Sequence, residues 1–160
     1  MKLLQRRRRM EGRTNYTKRR RLLEGRKPRI VIRKTNRYII IQYIESRLAQ
    51  DKVKVTIDSK ELLNYSWPKN NEGSLKSLGA AYLTGLLFAK KIAGEKKAIL
   101  DTGLLISTRG SRIYAAVKGI NDGGFELNCN PEVYPVENRI KNDKNSAFFD
   151  KVKSKIEGEK

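Results

Sequence analysis

RIVIRKTNRYIIIQYIE, residues 29–45, holds two runs of β-branched residues separated by Thr35-Asn36. Ile and Val are stiff at their first side-chain torsion and pack well on a pleated surface, so both runs read as strands. The short joint containing Asn predicts a hairpin, with RIVIRK (29–34) as one strand and RYIIIQYIE (37–45) as the other. Downstream, KVKVTIDS (52–59) alternates Val53, Val55 and Ile57 against Lys52, Lys54, Thr56 and Asp58. That period of two predicts a third strand with one buried face and one wet, basic face. Three strands in succession make an antiparallel meander.

A loop over 59–73, containing Trp67-Pro68, follows the meander. Ser74 then reads as the N-cap of a helix in SLKSLGAAYLTGLLFAKKIAG (74–94). Leu75, Leu78, Tyr82, Leu86, Ala89 and Ala93 share one face, and Ala81, Leu83, Leu87 and Phe88 flank it. Such a helix is buried over much of its girth. Gly94 stops it, and Lys90 and Lys91 sit in the last turn, where the helix dipole favours cations. KAILDTG (97–103) is a short strand of the buried type. The long helix before it predicts a crossover to a parallel position. RGSRIYAAVKGINDGG (109–124) is a second helix with the stripe Ile113, Ala116, Val117 and Ile120. The order β-β-β-α-β-α predicts an α/β fold with a mixed sheet and a ribonuclease-H-like topology. The C-terminal part holds Asn130-Pro131 and Tyr134-Pro135, a turn of helix at 136–141, and the amphipathic SAFFDKVKSKI (146–156), whose stripe is Phe148, Val152 and Ile156. The chain thus divides into a basic arm (1–28), a globular domain (29–125) and a loop with a short helical extension (126–160).

Charge separates the arm from the rest. The 160 residues carry 36 Lys+Arg and 17 Asp+Glu, a formal charge of +19. Residues 1–37 hold 16 of the basic residues and only Glu11 and Glu24 as acids. Self-repulsion and the lack of a sustained apolar stripe predict that the arm is disordered when alone, with a turn of helix over Arg19 to Leu23 once its charges are neutralised. So dense a field implies a polyanionic partner, nucleic acid first and an anionic membrane surface second.

The composition also excludes functions. There is no histidine and a single cysteine, Cys129. No Ser-His-Asp or Cys-His arrangement exists, no Cys/His zinc site, and no internal disulfide. The lone thiol and the lack of a secretory h-region fit a cytoplasmic protein. GAAYLTGLLFA (79–89) is too short to cross a bilayer. No phosphate-binding glycine motif is present. We expect no enzyme activity, no cofactor, no metal, no small-molecule substrate and no membrane partner.

The candidate RNA contacts fall in three groups. Arg6, Arg7, Arg8 and Arg9, then Arg13, Arg19, Arg20, Arg21, Arg26 and Lys27, populate the arm. Arginine grips phosphate with two parallel hydrogen bonds and stacks on bases, and each phosphate neutralised steepens the salt dependence of binding. Among them Tyr16 has no apolar neighbours and reads as a ring that stacks on an exposed base or packs on a sugar. Thr14 and Asn15 either donate to phosphate or cap a short helix starting there. The second group is Arg29, Arg33, Lys34, Asn36 and Arg37 on the first hairpin. Alternation puts Arg29, Val31 and Arg33 on one face, a basic surface suited to the shape of an RNA helix. The third is Arg109 and Arg112, where Arg109-Gly110-Ser111-Arg112 opens a helix and its free N–H groups offer an anion site. The plain alternatives are a solvated tail or a localisation signal for the arm, a solvated face for the hairpin and simple capping for the helix opening, and the rival function is a sequence-independent nucleic-acid or membrane-surface binder that uses charge alone. A remoter rival is a metal-dependent nuclease using Asp58, Asp101 and Asp122. It lacks a carboxylate in the first strand, where such an enzyme needs its central one.

RTNYTKRRRLLEGRKPRIVIRKTNRYIIIQ, GAAYLTGLLFAKK, AILDTGLL and RGSRIYAAVKGINDGG, taken together, resemble the eighteenth large-subunit ribosomal protein family in its archaeal-type form. The likeness runs over roughly residues 5–140, with four motifs in order at fitting spacings. The resemblance implies a non-catalytic structural constituent of the large ribosomal subunit that holds 5S rRNA at the central protuberance. It implies RNA contacts from Arg13 to Arg21 and from Lys27, Arg33, Lys34, Asn36 and Arg37. Thr14-Asn15-Tyr16 stands where the family has its Thr-Asp/Asn-Tyr segment. It also implies 23S-type rRNA and neighbouring large-subunit proteins as partners, the 5S-binding fifth large-subunit protein among them.

Overall fold

The computed structural model describes residues 4–47, 50–92, 94, 97–141 and 146–158, so Ala93 of the expected helix face lies outside the described residues. The hairpin forms as β1 (Arg29–Lys34) and β2 (Ile39–Arg47), antiparallel, with Ile32 opposite Ile41. Its turn is longer than the two-residue joint expected. The Thr35 N–H donates to the Tyr38 carbonyl at 2.8 Å, which leaves Asn36-Arg37 at the tip. The Thr35 hydroxyl also accepts from the Tyr38 N–H at 2.8 Å, a side-chain substitute for glycine chemistry in the turn. β3 (Gln50–Asp58) pairs antiparallel with β2, and β4 (Ile99–Asp101) pairs parallel with β1, for a sheet ordered β3-β2-β1-β4.

A β-bulge corrects the reading of the third strand. Tyr43 faces Val55 but Ile44 faces Val53, so Lys54 is the extra residue. The bulge flips the phase of everything N-terminal to it. Ile57 is fully buried with Ile41 and Tyr43, whereas Val53 turns to the opposite face and is 47% exposed. Asp51 turns with it.

The arm carries helix where the sequence predicts disorder. α1 (Arg7–Met10) is one turn, and α2 (Tyr16–Glu24) contains the turn expected at Arg19 to Leu23. Asn15 caps α2, its side-chain oxygen accepting from the Lys18 N–H at 3.0 Å. The ion pair Arg20–Glu24 at 3.0 Å links successive turns. Self-repulsion is offset because α2 docks on the domain: the Lys18 ammonium donates to the Gly103 carbonyl at 2.9 Å and to the Thr102 hydroxyl at 3.1 Å.

α3 (Leu78–Lys91) is buried at every position from Gly79 to Ala89, as its all-round apolar sequence requires. Its cap is Ser77, whose hydroxyl accepts from the Ala80 N–H at 3.2 Å, not Ser74. Ser74 instead ends a 3-10 helix over Lys69–Ser74 and donates to the Asn71 carbonyl at 2.7 Å. The two serines carry the same capping signal, and the docking of fully buried Leu75 selects the later one. The loop expected over 59–73 holds that 3-10 helix and another over Ser59–Tyr65. α4 (Arg112–Asp122) starts three residues after the expected Arg109, because Gly110 turns the chain with a φ of +65° and gives its N–H to the Val133 carbonyl. α5 (Glu137–Ile140) is the expected turn of helix. α6 (Ser146–Gly158) buries Phe149, Val152 and Ile156 in the same core as Ile30, Ile32, Leu83 and Val117. Each fully buried side chain of this size contributes about 1.5–3 kcal/mol. The C-terminal extension is therefore continuous with the globular core.

Candidate nucleic-acid interface

α2 lies between two open grooves. One, of about 820 Å³, is lined by Arg6, Arg9, Arg19 and Arg20 around Tyr16. The Arg6 guanidinium sits 4.8 Å over the Tyr16 ring, a cation–π geometry. The other, of about 350 Å³, runs between the arm and residues 101–105 and is lined by Arg8, Arg13, Lys18, Arg19 and Arg33 with Thr14, Asn15 and Leu22. The fold thus gathers arm and hairpin cations that the sequence separates by up to 25 positions. Lys18, within the Arg13 to Arg21 stretch that the resemblance points to but not singled out from its own residue type, is a member.

Several cations already have partners. Arg7 and Arg13 share Glu11, at 2.7 and 3.2 Å. The Arg8 Nε donates to the Thr14 hydroxyl at 2.9 Å, so Thr14 positions an arginine here. Arg9, Arg21, Arg26, Lys27, Lys34, Arg37 and Arg109 are exposed and form no ion pair among the described residues. Asn36 is exposed beside Arg37 at the hairpin tip. Arg26 holds a left-handed φ of +47° just past α2, a position glycine fills at lower cost. Arg112 and Lys34 line a third groove with exposed Leu104 and Ile106, and Arg109 lies on the loop beside it. The Arg109-Gly110-Ser111-Arg112 opening therefore joins the hairpin's Lys34, and Leu104 and Leu105 form the wall that this groove shares with the one beside the arm.

The expectation for Arg29 is overturned. Its residue is 1% exposed, because the face shared by Arg29, Val31 and Ile44 is covered. Arg29 lies between two carboxylates, with Nη2 2.7 Å from Asp51 Oδ1 and Nη1 3.0 Å from Asp101 Oδ2. It also donates to the Ser46 hydroxyl at 3.1 Å. A buried guanidinium is tolerated only when paired in this way. The basic sheet face expected from alternation thus shrinks to Arg33, which is half-buried. Arg33 is held by the carbonyls of Ile32 and Asp101, each at 3.0 Å, and packs over Gly103 so closely that a Cβ there would lie 2.9 Å from the guanidinium carbon.

Asp51 and Asp101 are the partners of these arginines, a pairing that the sequence analysis did not foresee. Asp51 Oδ2 accepts from Arg19 Nη2 of α2 at 2.8 Å. Burial pushes the Asp51 carboxyl up, but hydrogen bonds from Ser46, Arg19 and Arg29 outweigh it and hold the group below the ordinary 3.8. The acids weighed for metal chemistry are engaged apart from one another. Asp58 caps the Lys60 N–H at 3.2 Å, Asp101 serves Arg29 and Arg33, and Asp122 accepts from the Tyr82 hydroxyl at 2.8 Å. Among the described residues no group of three or more acids, histidines or cysteines stands where it would hold a metal ion. No helix among them is long and apolar enough to cross a membrane.

Residues 2–97 match the family described as ribosomal large subunit proteins 60S L5 and 50S L18. The chain is 49% identical to the large ribosomal subunit protein uL18 of Korarchaeum cryptofilum, an alignment covering 91% of this chain and 74% of that protein. Against the uL18 protein of Methanothrix thermoacetophila the identity is 50%, over 84% of this chain and 79% of the relative. The uL18 protein of Methanococcoides burtonii is 40% identical, with 94% and 91% of the two chains aligned.

Proposed function

This chain belongs to the family of ribosomal large subunit proteins that includes 50S L18, and on that premise we propose that it binds 5S rRNA and helps anchor it in the central protuberance. As a family member it is a constituent of the large ribosomal subunit, with rRNA and other ribosomal proteins as its partners. Its finer partners are 5S rRNA through the arm, 23S-type rRNA at the surface beyond, and the 5S-binding fifth large-subunit protein as neighbour. The observation that carries this reading is the groove along α2, where four arginines surround the one tyrosine of the arm. Arginines supply phosphate neutralisation and counterion release, the sequence-independent part of affinity. Tyr16 adds a π-face for an unpaired base, and the exposed Arg21, Lys27 and Arg37 supply further cations.

The test is affinity for 5S rRNA against a control RNA of the same length, across a salt series, for wild type and Tyr16→Ala. The expected result is tighter binding of 5S rRNA at physiological salt and a loss of about 1–3 kcal/mol on removing the ring, the size of a lost base stack. Equal affinity for both RNAs, with one salt slope and no Tyr16 effect, sinks the proposal in favour of a charge-only binder.

A further inference from the structure

Two acids sit at the centre of the most basic part of a strongly basic protein. If charge alone governed RNA binding, Asp51 and Asp101 would only weaken it. Their geometry points the other way. The bulge at Lys54 brings Asp51 to the face on which α2 docks, where one of its oxygens takes buried Arg29 and the other takes Arg19. On the other side of Arg29, one Asp101 oxygen takes its second nitrogen, while the other accepts from the Gly103 N–H at 2.8 Å. The Asp101 residue also holds Arg33 through its main-chain carbonyl, and Gly103 holds Lys18. The chain of contacts runs without a break from α2, through the sheet, to the loop after β4.

We propose that Asp51 and Asp101 are positioning residues for RNA binding, which clamp α2 and the Arg33 guanidinium in one orientation before RNA arrives. The proposal rests on the RNA-binding reading above and adds its structural cause. Ordering a free backbone costs about 1–2 kcal/mol per residue, so an arm helix already docked spares that cost at the moment of binding. Clamping Lys18 and Arg19 inward also leaves Arg20 and Arg21 of the same helix facing outward. Both acids act through arginines and touch no RNA themselves.

The decisive comparison is Asp51→Asn against Glu126→Gln in the full-length protein. Each raises the formal charge of +19 by one, but Glu126 is exposed and forms no ion pair among the described residues. Asp51→Asn weakens RNA binding about tenfold at fixed salt, the scale of lost hydrogen bonds to a charged group, while Glu126→Gln binds as wild type or tighter. Asp51→Glu restores part of the loss. Should Asp51→Asn bind as tightly as Glu126→Gln, the clamp is refuted. Hydrogen exchange of the wild-type protein without RNA is a second arm that no folding defect can cloud. Slowed exchange over residues 16–24 supports the clamp, and exchange at the rate of unstructured chain overturns it. Equal wild-type affinity for 5S and control RNA would remove the 5S assignment alone, because the Asp51 comparison reads out on either RNA.

Discussion

Arg29 and Arg33 stand four residues apart on β1 and point to the same side of the sheet, yet only one is available to a partner. Arg29 lies where β2, β3 and β4 all contribute groups, so two carboxylates and a hydroxyl surround it. Arg33 lies at the strand's end, where coverage stops and its side chain is 41% exposed. Asp51 is the residue whose titration reports this arrangement. Its folded pKa is depressed, so its contribution to stability is present above the unfolded pKa and is lost as pH falls through the folded one. The stability gap between wild type and Asp51→Asn is therefore full at neutral pH and closes below about pH 4. Thermal melts of both proteins between about pH 2 and pH 7 measure it. A gap that stays constant to the acid end would disprove the depressed carboxylate. The sequence could not show any of this, because an Asp between Gln50 and Lys52 looks like any solvated acid.

α3 and α4 meet backbone to backbone, and small residues make that approach possible. A Cβ on Gly119 would lie 2.0 Å from the Tyr82 carbonyl oxygen, and one on Gly85 would lie 2.2 Å from that of Ala116. Gly158, in the last turn of α6, has nothing within 4 Å. Gly119→Ala is accordingly expected to destabilise by about 1–3 kcal/mol through overpacking, whereas Gly158→Ala is neutral or slightly stabilising through helix propensity. Urea unfolding of the two variants decides; equal midpoints would contradict the close approach. The apolar stripe of α4 was legible from its period of 3.6, but the need for Gly119 within α4, and for Gly85 in α3, was not. A glycine in a helix reads as a weakness until a second helix is seen to need the space.

Across the whole molecule, the C-terminal helix is a structural member and not a tail. Phe149 is 5% exposed and packs against Tyr82, with ring centroids 5.9 Å apart. Phe148 meets Trp67 edge-on at 4.8 Å. Phe149→Ala should lower stability by about 3 kcal/mol, read from the denaturation midpoint at constant slope. A loss within experimental error would mean that α6 contributes little to the core. The arm likewise belongs to the fold, since α2 is tied to β3 through Arg19–Asp51 and to the loop after β4 through Lys18.

What the chain determined by itself were features of short range: the Ile-rich hairpin, the helix apolar on every side, the parallel return after it, and the crowding of positive charge before residue 38. Each follows from periodicity or composition within a window of a few turns, where local sterics and solvent decide. What only the tertiary structure decided were the bulge that turns Asp51 around, the choice of Ser77 over Ser74, and the burial of Arg29. The Arg29–Asp101 pair closes across 72 residues. Which opposite charges meet over such a separation depends on how the sheet is ordered and covered, and no local pattern encodes that.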